Sequence, residues 1–98
     1  MKLKVQSIHF DADNKLLEFI QEKVDKLTHF NDAIIGGEVY LRIENSANTA
    51  NKITEIKLNI PGTVLFAKEQ CKSFEEAADL AVTALKKQLT KHKERVRV

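Results

Sequence analysis

The last quarter of the chain constrains the fold more than any other stretch. Ser73 to Val98 reads SFEEAADLAVTALKKQLTKHKERVRV, one uninterrupted helical pattern. Phe74, Ala78, Ala81, Leu85 and Leu89 recur at steps of three and four, so they line one face that needs an apolar surface to cover it. Ser73 and Glu76 have the S-x-x-E spacing of a capping box, which satisfies unpaired backbone N–H groups at a helix start. Glu75, Glu76 and Asp79 fall near the positive end of the helix dipole and the lysines near the negative end. Helical stability in proteins comes mostly from packing an amphipathic face. The remaining residues must therefore supply the covering surface.

They do so as strands. Residues 2–10 alternate through Leu3 and Val5 and predict a first strand ending near Gln6–Ile8. Asp11 and Asp13 offer N-caps for a helix from Asn14 to about Phe30, with Leu16, Leu17, Ile20, Val24, Leu27 and Phe30 as its apolar stripe. Asn31-Asp32 and Gly36-Gly37 bracket the helix exit, with Ile34-Ile35 opening the next extended segment. Glu38–Glu44 sets Val39, Leu41 and Ile43 against Tyr40, Arg42 and Glu44, the pattern of a half-buried strand. Residues 45–51 form a polar loop. Ile53, Ile56, Leu58 and Ile60 mark a third strand, irregular at its start, and Pro61-Gly62 turns it into a fourth over Val64–Gln70.

The order β-α-β-β-β-α predicts an α+β fold. The first two strands should be parallel with a right-handed crossover, and two short connections add antiparallel neighbours. The result is a four-stranded mixed sheet with two helices packed on one face. Half-polar strands leave the other face wet. Residues 1–98 are expected to form a single domain, with no linker, repeat or extension after Val98.

Charge gives the first indication of function. The net charge of +2 hides an asymmetry. Residues 86–98 carry six Lys/Arg against Glu94 alone, a net of +5, while the other 85 residues carry ten basic and thirteen acidic side chains, a net of −3. Concentrated positive charge is the footprint of a polyanion-binding surface. On the first helix, Lys15, Lys23 and Lys26 fall with Phe19 in a sector of about 80° bordering the apolar stripe. They predict a basic ledge beside the last helix, although lysines there also lay their stems over apolar surface.

Catalytic and metal motifs are absent from the sequence. It has no Gly-rich phosphate loop, H-E-x-x-H, C-x-x-C or G-x-S-x-G pattern. His9, His29 and His92 lie on different elements without the Cys or clustered carboxylates a zinc site needs. Neither metal nor cofactor is expected, and no enzyme activity. Cys71 is the sole cysteine, read as a buried, inert thiol in a reducing compartment. No segment approaches the ~20 apolar residues of a membrane span, and the polar residues after Val5 do not form a secretory signal. A cytoplasmic protein without a membrane partner is expected.

The run Leu85-Lys86-Lys87-Gln88-Leu89-Thr90-Lys91-His92-Lys93-Glu94-Arg95 resembles the C-terminal helix of the ribosome hibernation-promoting factor family. There a leucine, a basic pair, Gln-Leu and a K-H-K or K-Y-K cluster follow one another. The E-K-V-D-K-L run from Glu22 to Leu27, the V-Y-L-R-I-E strand and Asp79 also have the family's look, so the resemblance covers essentially the whole chain. The family's fold is double-stranded-RNA-binding-domain-like, with the same element order. Two departures stand out. Lys72 to Asp79 replaces the family's Asp, aromatic and Ala-Ile-Asp pattern, and Pro61-Gly62 stands where Gly-Gly is common. Both alter packing and turn geometry more than the cationic surface.

The resemblance implies binding to the small ribosomal subunit (16S rRNA) and the 70S ribosome, in the channel that mRNA and tRNA occupy. It implies translational silencing in stationary phase or stress. The chain resembles the short form, which in some bacteria relies on a separate ribosome-dimerising factor. Folded RNA is recognised through shape and phosphates, which suits Lys23, Lys26, Lys86, Lys87, Lys91, Lys93 and Arg95 on rigid helices, with His92 nearby as either a contact or a partly buried spacer. Lys86 to Arg95 are expected to reach past much of the helix packing. One Tyr and no Trp supply a stacking platform poorly. The competing reading is a small α/β interaction or regulatory module whose basic helix end meets an acidic protein. A small hydrolase is a remote third, lacking a nucleophile–base pair.

Overall fold

Strand register organises the molecule into alternating apolar and polar rows. In the computed structural model, β1 (Lys2–Ser7) pairs in parallel with β2 (Gly36–Ile43), and α1 (Asn14–Phe30) forms the crossover. β3 (Lys52–Ile60) and β4 (Thr63–Cys71) add on antiparallel, and α2 (Phe74–Val96) follows. The sheet order is β1-β2-β3-β4. The structure describes residues 2–8, 10–30, 33–44 and 51–96, without the side chains of Lys2, Phe30 and residues 93–96. His9, Asn31-Asp32, most of the polar loop at 45–51 and Arg97 lie outside the described residues. No described helix is long and apolar enough to cross a membrane.

Side chains alternate between sheet faces, so each cross-strand row has one character. Leu3–Gly37–Leu58–Leu65 and Val5–Val39–Ile56–Ala67 run across the inner face. Between them on the outer face runs Lys4–Glu38–Lys57–Phe66. The inner rows pack under both helices, with Ile20, Val24 and Leu27 of α1 and Ala78, Ala81, Leu85 and Leu89 of α2 buried in one core. The predicted helix stripes are thus the ones the sheet covers.

Local chemistry sets the helix ends. The Asp13 carboxylate accepts a hydrogen bond from Leu16 N–H at 2.8 Å, so Asp13 is the α1 cap rather than Asp11. Ser73 Oγ accepts from Glu76 N–H at 3.1 Å and starts α2. The rings of Phe10 and Phe74 stack at 5.1 Å, which fastens the β1–α1 connection to the beginning of α2. Pro61-Gly62 makes the two-residue β3–β4 turn, and Gly62 takes φ 85°, the value a Pro-Gly type II turn requires at its third position.

Two local expectations need correction. Gly36 and Gly37 lie inside β2 rather than marking the helix exit, while Ile34 and Ile35 precede the strand. A Cβ on Gly37 would stand 3.0 Å from both Leu58 Cδ2 and the Lys57 carbonyl oxygen, and 3.3 Å from Leu3 Cδ1. The glycine is there because its row is already filled by leucines on either side. Ile43, expected in the core with Val39 and Leu41, is exposed at the strand end. The irregular start expected of β3 is present, because Thr54 takes its first inner position. Ile53 turns to the outer face, in register with Arg42 and Gln70, and is nonetheless buried.

Thr54 is fully buried, and its hydroxyl has no hydrogen-bond partner among the described residues. Leaving such a group unpaired costs stability. Thr54→Val should therefore stabilise the fold by about 1 kcal/mol, read as a higher urea midpoint at unchanged slope. Gly37→Ala should destabilise it by about 1–3 kcal/mol through overpacking. An unchanged midpoint in the alanine variant would show that Leu3 and Leu58 can give way.

Candidate nucleic-acid interface

The two helices lie side by side on the sheet, and an ion pair crosses between them. Lys23 Nζ of α1 stands 3.0 Å from Asp79 Oδ1 of α2 and 5.5 Å from the centroid of the Phe19 ring. The ring's electron-rich face and the carboxylate together hold the ammonium at the helix–helix boundary. Around it lies a groove of about 200 Å³, lined by Lys23, Lys26 and Leu27 from α1 and by Asp79, Val82, Thr83 and Lys86 from α2. The basic ledge predicted on α1 does therefore meet the last helix. Lys15 is exposed and does not line the groove.

Further along α2, Lys86, Lys87 and Lys91 share a shallower depression with Thr83 and Thr90. These positions are three and four residues apart, so they fall on one face. Both threonine hydroxyls donate back to the helix, to the carbonyls of Asp79 and Lys86 at 3.0 Å. Lysines therefore supply most of the polar reach of this surface. His92 is half-buried and lies on the opposite flank, in a groove with Thr63, Leu65, Gln88 and Lys91 beside β4. Lys91 borders both depressions. Lys93 and Arg95 belong to α2, but their side chains fall outside the described residues.

The expectation that Lys86 to Arg95 reach past the packing needs correction at its start. Leu85 and Leu89 are both fully buried, so Lys86 and Lys87 project from a helix turn seated on the sheet. Composition could not reveal the placement of Asp79 among the lysines. Its sequence signals were its place near the helix start and its resemblance to the family pattern, neither of which puts it beside Lys23.

The outer sheet face carries its own charges, several of them paired with one another. Arg42 bonds to Glu55, Lys68 Nζ lies 3.9 Å from the same carboxylate, and the Tyr40 hydroxyl donates to Glu38. That bond to Glu38 is the main cause holding the Tyr40 phenol above its ordinary pKa, followed by desolvation and the charges of Glu38 and Glu55. Among the described residues no group of three His, Cys, Asp or Glu side chains is placed to hold a metal ion.

A four-stranded sheet backing two helices that present cations from both sides of one groove defines a class of α+β proteins with a rigid basic surface. The chain belongs to the Sigma 54 modulation protein / S30EA ribosomal protein family, whose model matches residues 3–97. It is 32% identical over 86 residues to a ribosome hibernation promotion factor of Deinococcus radiodurans, covering 87% of this chain and 45% of that protein. It is 27% identical over 95 residues to a ribosome hibernation promoting factor of Azotobacter vinelandii, covering 97% and 85% respectively. The chain thus spans less than half the length of the first relative and most of the second. In fold it matches a ribosomal subunit interface protein from Coxiella burnetii, with a TM-score of 0.85 at 22% identity over 96% of this chain and 99% of the other. The N-terminal domain of Thermus thermophilus Protein Y gives a TM-score of 0.80 at 19% identity, over 94% and 99%.

The only thiol lies apart from this surface. Cys71 is buried, and desolvation, followed by the charges of Glu76 and Glu69, pushes its pKa above the ordinary thiol value. The native thiol should react slowly with a disulfide reagent at pH 8 and at the rate of a free thiol once unfolded. Because the folded-state pKa is raised, its stabilising contribution is complete below the unfolded value of about 8.5 and is lost as pH rises through the folded one. Fast native labelling at pH 8 would contradict this.

Proposed function

We propose that this chain is a ribosome hibernation factor, acting through residues 1–98 as one ribosome-binding domain. It binds the small ribosomal subunit through 16S rRNA, in the channel used by mRNA and tRNA. Occupying that channel blocks translation and preserves inactive 70S ribosomes in stationary phase or under stress. It works in the cytoplasm without a catalytic step or a cofactor.

The observation that carries this reading is the convergence of Lys23, Lys26 and Lys86 on one groove between two helices, continued by Lys87 and Lys91 along α2. Folded RNA presents phosphates in a fixed array, and it is met best by cations whose backbones are equally fixed. Family membership and the names of the relatives point to the ribosome as the source of that RNA. Lys93, Arg95 and His92 complete the assigned contact set, His92 from the β4 flank.

Replacing Lys86, Lys87, Lys91 and Lys93 together with alanine tests the assignment. Lys86, Lys87 and Lys91 are exposed, so the circular dichroism spectrum should be unchanged. Co-sedimentation with small subunits should be lost at moderate salt. The log–log salt slope of binding should fall by roughly 0.7–0.9 for each phosphate contact removed. Undiminished co-sedimentation would refute the reading. A pulled-down complex that survives nuclease would point to an acidic protein instead.

A further inference from the structure

The basic groove contains a carboxylate that phosphate binding alone does not explain. Asp79 stands among Lys23, Lys26 and Lys86 over an apolar floor of Leu27 and Val82. A phosphate brings only acceptors, so a carboxylate beside it repels it and offsets part of what the lysines contribute. The ion pair with Lys23 does not account for Asp79 as a folding element either. Its side chains are 30% and 58% exposed, and pairs so open to water stabilise little.

Asp79 lies beyond the first turn of α2, where the helix dipole has faded. A role that fits an acceptor among cations is to meet a donor on the same ligand. One Asp79 oxygen takes the Lys23 ammonium at 3.0 Å, but an ionised carboxylate offers roughly four acceptor sites. An A-form RNA backbone alternates two features along its minor groove, phosphates and ribose 2′-hydroxyls that can donate. A set of lysines around one carboxylate is complementary to that alternation. Resting on the reading of the groove as RNA-facing, we infer that Asp79 is a ribose-reading residue. Its carboxylate accepts a hydrogen bond from a 2′-hydroxyl while Lys23, Lys26 and Lys86 hold the flanking phosphates. The Lys23 pair, steadied by Phe19, fixes the orientation of the carboxylate before RNA arrives.

The probe is a blunt RNA duplex of about 20 base pairs, beside the same duplex with every ribose 2′-O-methylated, which keeps the A-form and its phosphates but removes the donor. Wild-type protein should bind the unmodified duplex roughly tenfold more tightly, the effect of one hydrogen bond to a charged acceptor. Asp79→Ala should bring the ratio close to one, and Asp79→Asn, which keeps an acceptor oxygen, should retain part of it. Lys26→Ala, which removes a groove cation and keeps the Lys23–Asp79 pair, should weaken both duplexes while leaving most of the ratio. A wild-type ratio of one, no binding to duplex RNA, or an unchanged ratio in Asp79→Ala each overturns the inference. Small-subunit co-sedimentation of the wild type is measured in parallel, and its failure would count against the ribosome assignment whatever the ratio shows.

Discussion

The seam on which the molecule depends is the one between α2 and the inner face of the sheet. Ala77, Ala78 and Ala81 are fully buried in the first half of that helix, and Leu85 and Leu89 in the second. Small side chains allow a helix axis to approach closely, and the leucines join the same core further along. Fully burying a leucine is worth about 1.5–3 kcal/mol, whereas a surface ion pair such as Lys23–Asp79 contributes about 0–1 kcal/mol. Packing therefore holds the helices in place, and the charges between them remain available to a ligand. Fold and binding surface draw on different side chains of the same two helices.

The sheet divides its tasks in the same way. Its inner rows are apolar and covered, and several groups on its outer rows are paired locally, as in the Arg42–Glu55–Lys68 cluster and the Tyr40–Glu38 pair. The open edge of β4 is partly screened as well, because Gln88 Nε2 donates to the Phe66 carbonyl at 2.9 Å from the flank of α2. Occupying an edge carbonyl discourages pairing with a foreign strand. Val64 and Phe66 remain exposed beside that edge, while the lysines that line the two depressions stand on the helices.

Element order, both helix stripes and the basic ledge of α1 were legible in the sequence because each depends on spacing within one segment. The periods of 3.6 and 2 survive folding when the buried face is broad, as for Ile20–Val24–Leu27 or Val39–Leu41. What was not legible depends on neighbours far along the chain. Gly37 looks like a turn residue until Leu3 and Leu58 close around it. Ile53 breaks the alternation of Ile56, Leu58 and Ile60 because strand register turns it outward and Thr54 inward, which its own segment does not explain. Asp79 looked like an acid placed for the helix dipole, and only the crossing of α1 over its turn brings it among lysines. His92 sits close to the apolar stripe in projection, yet the helix turns it toward β4 and away from the groove.

This geometry changes what the charge asymmetry means. Read along the chain, a net of +5 over residues 86–98 suggests a basic end that attracts any polyanion. Read in space, Lys86 and Lys87 project from a turn whose neighbours Leu85 and Leu89 are fixed in the core, and Lys86 faces Lys23 and Lys26 across a groove. Cations on such a frame lose only side-chain freedom when they meet phosphates, whereas cations on an unfolded chain lose backbone freedom too, at about 1–2 kcal/mol per residue. The frame also fixes their spacing, so a ligand with matching phosphates gains every contact at once and a mismatched one gains few. Long-range attraction by net charge and short-range selection by the groove are therefore separable properties, the first weakened by salt and the second set by how α1 and α2 lie on the sheet.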